Sequence, residues 1–253
     1  MTKSLPPWAR TLLSALALAA AIAVIIWVIH EPAIVGAAVS QRQLPIYCVQ
    51  KEEKVAALSF DAGWGNEDTQ QLIDILTAHD VRATFFLVGD WVEKYPESVK
   101  ALSDAGQEIM NHSGTHPHLS QLSTEEIQAE VNGCSDKVEA ITGTRPTLFR
   151  CPYGEYDDHV IEAVQSLGIK AIQWDVDSLD WKGISAEEIT RRVLEGVQPG
   201  SIVLMHNAAE HTPEALAGII ESLQADGYTL VPISELLLTG DYTIDTTGRQ
   251  CPA

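Results

Sequence analysis

Basic residues are scarce: 16 Lys and Arg stand against 35 Asp and Glu, giving a formal net charge of −19 over 253 residues. A surface of that sign repels phosphate backbones, so no nucleic-acid partner is expected. Aromatic residues make up only 6% of the chain. The four cysteines, Cys48, Cys134, Cys151 and Cys251, lack a CxxC or any other paired spacing. That argues against a structural zinc site or a redox pair and leaves free thiols as the simpler reading. No Gly-rich phosphate loop follows the first candidate strand, which counts against a nucleotide-binding open sheet. There is no internal repeat. None of these absences bears on an uncharged ligand held by hydrogen bonds and stacked rings.

What is present begins with an unbroken apolar run from Thr11 to Ile29, with Lys3 and Arg10 ahead of it. The run is long enough to cross a bilayer, and its basic flank should stay in the cytoplasm while the rest is exported. Residues 1–30 are therefore read as a cytoplasmic tail and transmembrane signal-anchor, placing a single-pass protein in the cell membrane with its domain extracytoplasmic. A cleaved signal peptide is the alternative, but Val35 and Ala37 are poor cleavage positions and the run exceeds the usual apolar core. Residues 31–53, with Pro32 and Pro45, read as a linker, 54–240 as one catalytic domain, and 241–253 as a C-terminal tail.

From Lys54 onward short apolar runs alternate with helix-like segments. Strands are expected at Val55–Phe60, Ala83–Val88, Glu108–Asn111, Leu148–Arg150, Ala171–Asp175, Ile202–His206 and Tyr228–Val231. Helices fall at Asp68–His79, Pro96–Ala105, Thr124–Thr142 (Thr124 as N-cap, Gly143 past its end), Asp158–Leu167, Ala186–Gly196 and Thr212–Ala225. The alternation predicts an α/β fold with a parallel sheet. Asp61, His112, Arg150, Asp175 to Asp180 and His206 all fall at or just after strand C-termini, the edge where a parallel barrel assembles its active site.

Five segments there carry chemistry. In Asn111-His112-Ser113-Gly114-Thr115-His116-Pro117 two imidazoles stand four residues apart, a spacing that in one helical turn lets both share a metal ion; the alternative is a polar turn. In Ser59-Phe60-Asp61-Ala62-Gly63-Trp64-Gly65 a carboxylate ends the first strand, placed as a base, a ligand or a helix cap. Arg150, ahead of Cys151-Pro152-Tyr153-Gly154, can orient a buried carboxylate or make a surface ion pair. Asp175-Val176-Asp177-Ser178-Leu179-Asp180-Trp181 sets three acids beside an indole, able to fix a histidine and stack a sugar. His206 ends an apolar strand and titrates near neutral pH.

In order and position these segments resemble the polysaccharide deacetylase family (carbohydrate esterase family 4) over about Val55 to Leu238, with a particular likeness to sporulation-associated peptidoglycan deacetylases. The resemblance implies a distorted (β/α)7 TIM-like barrel that removes acetyl groups from N-acetylated cell-wall glycan with a divalent metal, Zn first and Co, Ni, Fe or Mn as alternatives. By the same resemblance Asp61 is the catalytic base and His112 and His116 are metal ligands. The N–H of Tyr153 is an oxyanion donor, and His206 is the general acid, oriented by Asp180. Arg150 partners the base, and Trp181 and Leu204 wall the acetyl pocket. A monomer is expected.

One position departs from the pattern. Where the family carries a third metal ligand directly after the base, this chain has Ala62. Asp68 or Glu67 could substitute, or a water. An inactive glycan-binding barrel and an O-acetyl esterase are therefore kept as alternatives. His79, His118, His159 and His211 are assigned no role, and Cys151 is read as a small buried side chain.

Overall fold

The computed structural model describes residues 6–30 and 42–253, without the side chains of residues 7, 10–12 and 28–30. The chain forms two compact units, Met1–Arg42 and Gln43–Ala253. In the first, helix α1 (Pro7–His30) covers the apolar run. Among the described residues no helix is long and apolar enough to cross a membrane; the side chains of α1 are described without interruption only over 13–27. Residues 31–41 of the expected linker, including Val35 and Ala37, lie outside the described residues.

The second unit is built on a parallel sheet. Its strands lie in the order β6 (Lys170–Ala171), β5 (Leu148–Phe149), β4 (Glu108–Asn111), β3 (Thr84–Leu87), β2 (Val55–Ala62), β8 (Ile202–His206) and β7 (Val176–Asp177), and β9 (Thr229–Leu230) pairs with the start of β2. Helices α2 (Thr69–Ala78), α3 (Gly89–Lys94), α4 (Pro96–Asp104), α5 (Thr124–Thr142), α6 (Asp158–Gln165), α7 (Ala186–Gly196), α8 (Thr212–Ala225) and α9 (Ile233–Leu236) complete the α/β unit.

The sheet is a half-barrel of parallel strands, consistent with the expected distorted (β/α)7 fold, and among the described residues β6 and β7 end the path without pairing with each other. The expected strand Ala171–Asp175 is broken for a local reason. Ile172 is bridged by Ile46, while the Asp175 carboxylate accepts from Ile202 N and Ser201 Oγ at 2.8 Å each. Residues 43–53, expected in the linker, thus belong to the domain: Ile46 and Val49 are buried, and β1 (Cys48–Val49) pairs with β11 (Arg249–Pro252). The expected C-terminal tail likewise supplies β10 (Tyr242–Ile244) and β11, pinned by buried Gln250, whose Oε1 accepts from Leu238 N at 2.9 Å.

Strand periodicity decides which side chains reach the site. On β2, Ala56, Leu58, Phe60 and Ala62 point into the apolar layer that also holds Leu72 of α2 and Leu216 of α8, with Phe60 stacked on Phe85 at 4.8 Å. Burying each such Leu or Phe contributes about 1.5–3 kcal/mol. The alternate residues Ala57, Ser59 and Asp61 face the inside of the half-barrel, so a one-residue slip would bury the carboxylate among hydrocarbons. Helix α5 has the expected bounds, but its N-cap is not Thr124. Ser123 is its N-cap, in a reciprocal capping box with Glu126, and Gly143 ends it in the left-handed region at φ 74°.

Candidate active site

Asp61 and His206 are register partners at the ends of β2 and β8, and His112 and Arg150 each follow a strand directly. All but Arg150 line one cavity of about 400 Å³ at this edge, together with His116.

Arg150 is fully buried, so its charge needs partners on the spot. It donates from one terminal nitrogen to Asp61 Oδ1 at 2.8 Å, and from the other to Ser59 Oγ at 2.9 Å and Gln173 O at 3.1 Å. The guanidinium lies over the Phe86 ring at 4.1 Å. Burial alone would raise the Asp61 pKa, but the opposing effects, led by the charge of the Arg150 guanidinium, outweigh it, and the carboxyl stays below its usual range.

The His112 ring takes its orientation from Arg150 O, 2.8 Å from Nδ1. A carbonyl oxygen only accepts, so Nδ1 carries the proton and Nε2 keeps its lone pair, 3.5 Å from Asp61 Oδ2. The His116 ring lies edge-on at 4.9 Å. The expected helical turn is absent: left-handed residues at Ser113 (φ 69°) and His116 (φ 60°) bring the rings together in a loop. Asn111 holds that loop, accepting from Ser113 N at 2.8 Å while donating to Val131 O and Ser135 Oγ. Burial lowers the pKa of both imidazoles, that of His116 to about 4, aided by neighbouring His112. Both are neutral at pH 7.

His206 is held differently. Asp180 is buried, and its carboxylate faces His206 Nδ1 at 2.7 Å and accepts from His206 N at 2.7 Å, Thr212 Oγ1 at 2.6 Å and Trp181 N at 2.8 Å. Burial pulls the His206 pKa down, but the hydrogen bond and charge of Asp180 outweigh it and the net shift is upward.

Tyr153 sits on the cavity rim in the left-handed region (φ 59°), between the His118 ring, stacked at 4.4 Å, and the edge of His116. Gly154 follows at φ 66°, where an added Cβ would come 2.8 Å from Trp174. Trp181 and Leu204 also line the cavity. So do Trp64 and Trp174, which the sequence did not single out as site residues; for Trp64 the signal was its place three residues after the strand-end Asp61. His118, passed over as a bystander, clips two site loops together: its Nδ1 is 2.6 Å from Glu155 Oε2, and Ser120 Oγ bonds the same carboxylate. His79, His159 and His211 lie outside the cavity.

Asp68 does not reach the cavity wall. Its Oδ2 accepts from Ala208 N at 2.8 Å, a turn apart from the imidazoles. Glu67 is exposed, Ala62 lies in the apolar layer, and neither lines the cavity. Cys151 is buried in a separate apolar cluster, where burial pushes its thiol up to about 12. Among the described residues no group of three His, Cys, Asp or Glu is gathered to hold a metal ion. Two imidazoles alone fall short of the three protein ligands of a catalytic zinc site. The residues present do not complete the implied metal centre, and no step below runs through one.

A family model described as polysaccharide deacetylase matches residues 49–172. The uncharacterized protein YlxY of Bacillus subtilis is 32% identical over 76% of this chain and 60% of its own length. A peptidoglycan-N-acetylglucosamine deacetylase of Bacillus cereus is 34% identical over 72% of this chain and 68% of its own. The chain thus spans about three fifths of the first of these relatives. Among solved structures, a CE4 family pseudoenzyme from Bacillus anthracis superposes with a TM-score of 0.74 at 38% identity, covering 76% of this chain and 68% of its own. A mutant of that protein, described as having restored enzymatic activity, superposes equally well.

Proposed function

This chain belongs to the polysaccharide deacetylase family, and from that membership and the cavity chemistry we propose that it hydrolyses the acetamide of N-acetylated sugars in peptidoglycan. One observation carries the reading. Asp61 and His206 face the same cavity from adjacent strands, the first with its pKa lowered beside Arg150 and the second with its pKa raised beside Asp180. Two titratable groups pushed in opposite directions form an acid–base pair.

In the proposed reaction, Asp61 takes a proton from a water as the water oxygen adds to the acetamide carbon. The developing oxyanion is met by the N–H of Tyr153, whose backbone is already turned at the rim. As the C–N bond breaks, His206 gives its proton to the departing amine, and acetate is left. Trp181 and Leu204 receive the acetyl methyl group. The two neutral imidazoles would hold a divalent ion only weakly, because among the described residues no third protein donor is gathered beside them.

The test is acetate release from N-acetylated peptidoglycan fragments, with chelator and with added zinc, alongside titration of the freed amine. Acetate with a matching amine supports the reading. Acetate without amine would identify an O-acetyl esterase, and no acetate under any metal condition would overturn hydrolysis. A second reading, a glycan-binding barrel without turnover, is favoured by Ala62 and the missing third donor; fragments retained on the protein without acetate would establish it.

The anchoring of the chain is part of the same proposal. Helix α1 has 24 residues, a rise of roughly 36 Å against a hydrocarbon core of about 30 Å. With Lys3 and Arg10 toward its N-terminal end, it would hold the domain at the outer face of the cell membrane, facing its substrate.

A further inference from the structure

The Trp64 indole is stacked on the His206 imidazole, ring centroids 5.6 Å apart and planes 18° from parallel. Both rings line the cavity, and Trp64 is 49% exposed, so this indole is not there to fill a core.

The loop that carries it is laced to the loop that follows His206. Gly65 O accepts from Asn207 Nδ2 and, at 2.7 Å, from Trp91 Nε1. Ala208 N donates to Asp68 Oδ2 at 2.8 Å, and Asn207 N donates to Asp61 O at 3.2 Å. Gly65 has no room for a side chain, since an added Cβ would run into Glu67 and lie 2.9 Å from Ala208 Cβ. The stack is therefore held from both sides by half-buried hydrogen bonds. Asp68 is one of the laces, which accounts for its absence from the cavity wall.

We propose that Trp64 is a positioning residue for His206: its indole face covers one face of the imidazolium, keeps the ring aimed into the cavity and favours its charged form. An aromatic face attracts a cation through its quadrupole, and a half-exposed pair of this kind shifts an equilibrium by an amount worth roughly half a pH unit. The other charged and titratable groups facing His206 are Asp180 at its Nδ1, Asp61 across the β2–β8 pairing, Arg150 behind Asp61, and His112. None of them covers the ring face that Trp64 occupies. The indole supplies something the ionic partners do not.

The inference builds on the proposed role of His206 as the acid, but its first test needs no turnover. NMR titration of the His206 ring in the purified, glycan-free full chain should show the midpoint falling by about 0.5 pH unit in Trp64→Leu and by much less in Trp64→Phe. An unchanged thermal melt would separate this from unfolding. Where acetate release is measurable, the alkaline limb of kcat should move down by the same amount in Trp64→Leu, with KM little changed. An unmoved His206 midpoint in Trp64→Leu would overturn the inference. A rise in KM alone would overturn it too, and would make Trp64 a sugar platform. A moved midpoint without any acetate release would leave the stack standing and remove the hydrolytic reading instead.

Discussion

The cavity holds three imidazoles whose pKa values move in opposite directions, and the difference lies in whether a hydrogen-bonded carboxylate offsets the burial of the ring. On the β8 wall, His206 Nδ1 meets the Asp180 carboxylate, a buried anion with three further donors on it. On the β4 wall, His112 Nδ1 meets a neutral backbone carbonyl, and His116 sits beside another imidazole. The carboxylate raises the pKa of His206 against the pull of burial, whereas burial prevails at His112 and His116 and lowers theirs. One wall stores a proton, and the other presents lone pairs. The proton-moving half of the site is complete in its hydrogen bonding, whereas among the described residues the lone-pair half gathers no third donor.

The comparison can be broken most forcefully at the residue both walls face. Asp61→Asn keeps an oxygen for Arg150 to bond but removes the anion, and acetate release should fall about a thousandfold, within the range for losing a general base. Single-turnover acetate assays measure this, and a loss below tenfold would remove Asp61 from the role of base.

Next in size is Asp180→Asn. His206 must be protonated to act as the acid, and the Asp180 carboxylate raises its pKa against the pull of burial. Without the carboxylate, burial dominates and the pKa drops below its ordinary value. Activity would then be lost at lower pH, with a fall of roughly 10- to 100-fold at pH 7, where the ring becomes neutral. A pH–rate profile with an unmoved alkaline limb would show that the proton comes from elsewhere.

Much of this was legible in the sequence because the informative residues fall at strand ends. Glu108–Asn111 and Ile202–His206 were readable to the residue, as were the helices Thr124–Thr142, Ala186–Gly196 and Thr212–Ala225, whose apolar periodicity is strong. Each end placed a polar side chain at one edge, so the meeting of Asp61, His112, Arg150 and His206 followed from parallel topology alone. The short strands β1 and β11 were not legible, since each is held by the other from some 200 residues away rather than by local propensity, and β10 pairs with β11 in turn. The convergence of His112 and His116 was read correctly from spacing that turned out to have a different cause, two left-handed residues in place of a helical turn.

Asp68 shows the same limit from the other side, and it gives the smallest predicted effect. By sequence distance from Asp61 it was a plausible substitute ligand, yet its partner is Ala208, 140 residues on, which only the folded β2–β8 pairing brings near. Asp68→Ala should therefore leave zinc binding to the two imidazoles unchanged while His116→Ala weakens it, as followed by isothermal titration with zinc alone. The lost hydrogen bond to Ala208 N should cost about 1 kcal/mol in urea denaturation. If zinc affinity fell in Asp68→Ala as far as in His116→Ala, the carboxylate would have to leave Ala208 and swing into the cavity when metal binds. The lone-pair wall would then have its third donor after all.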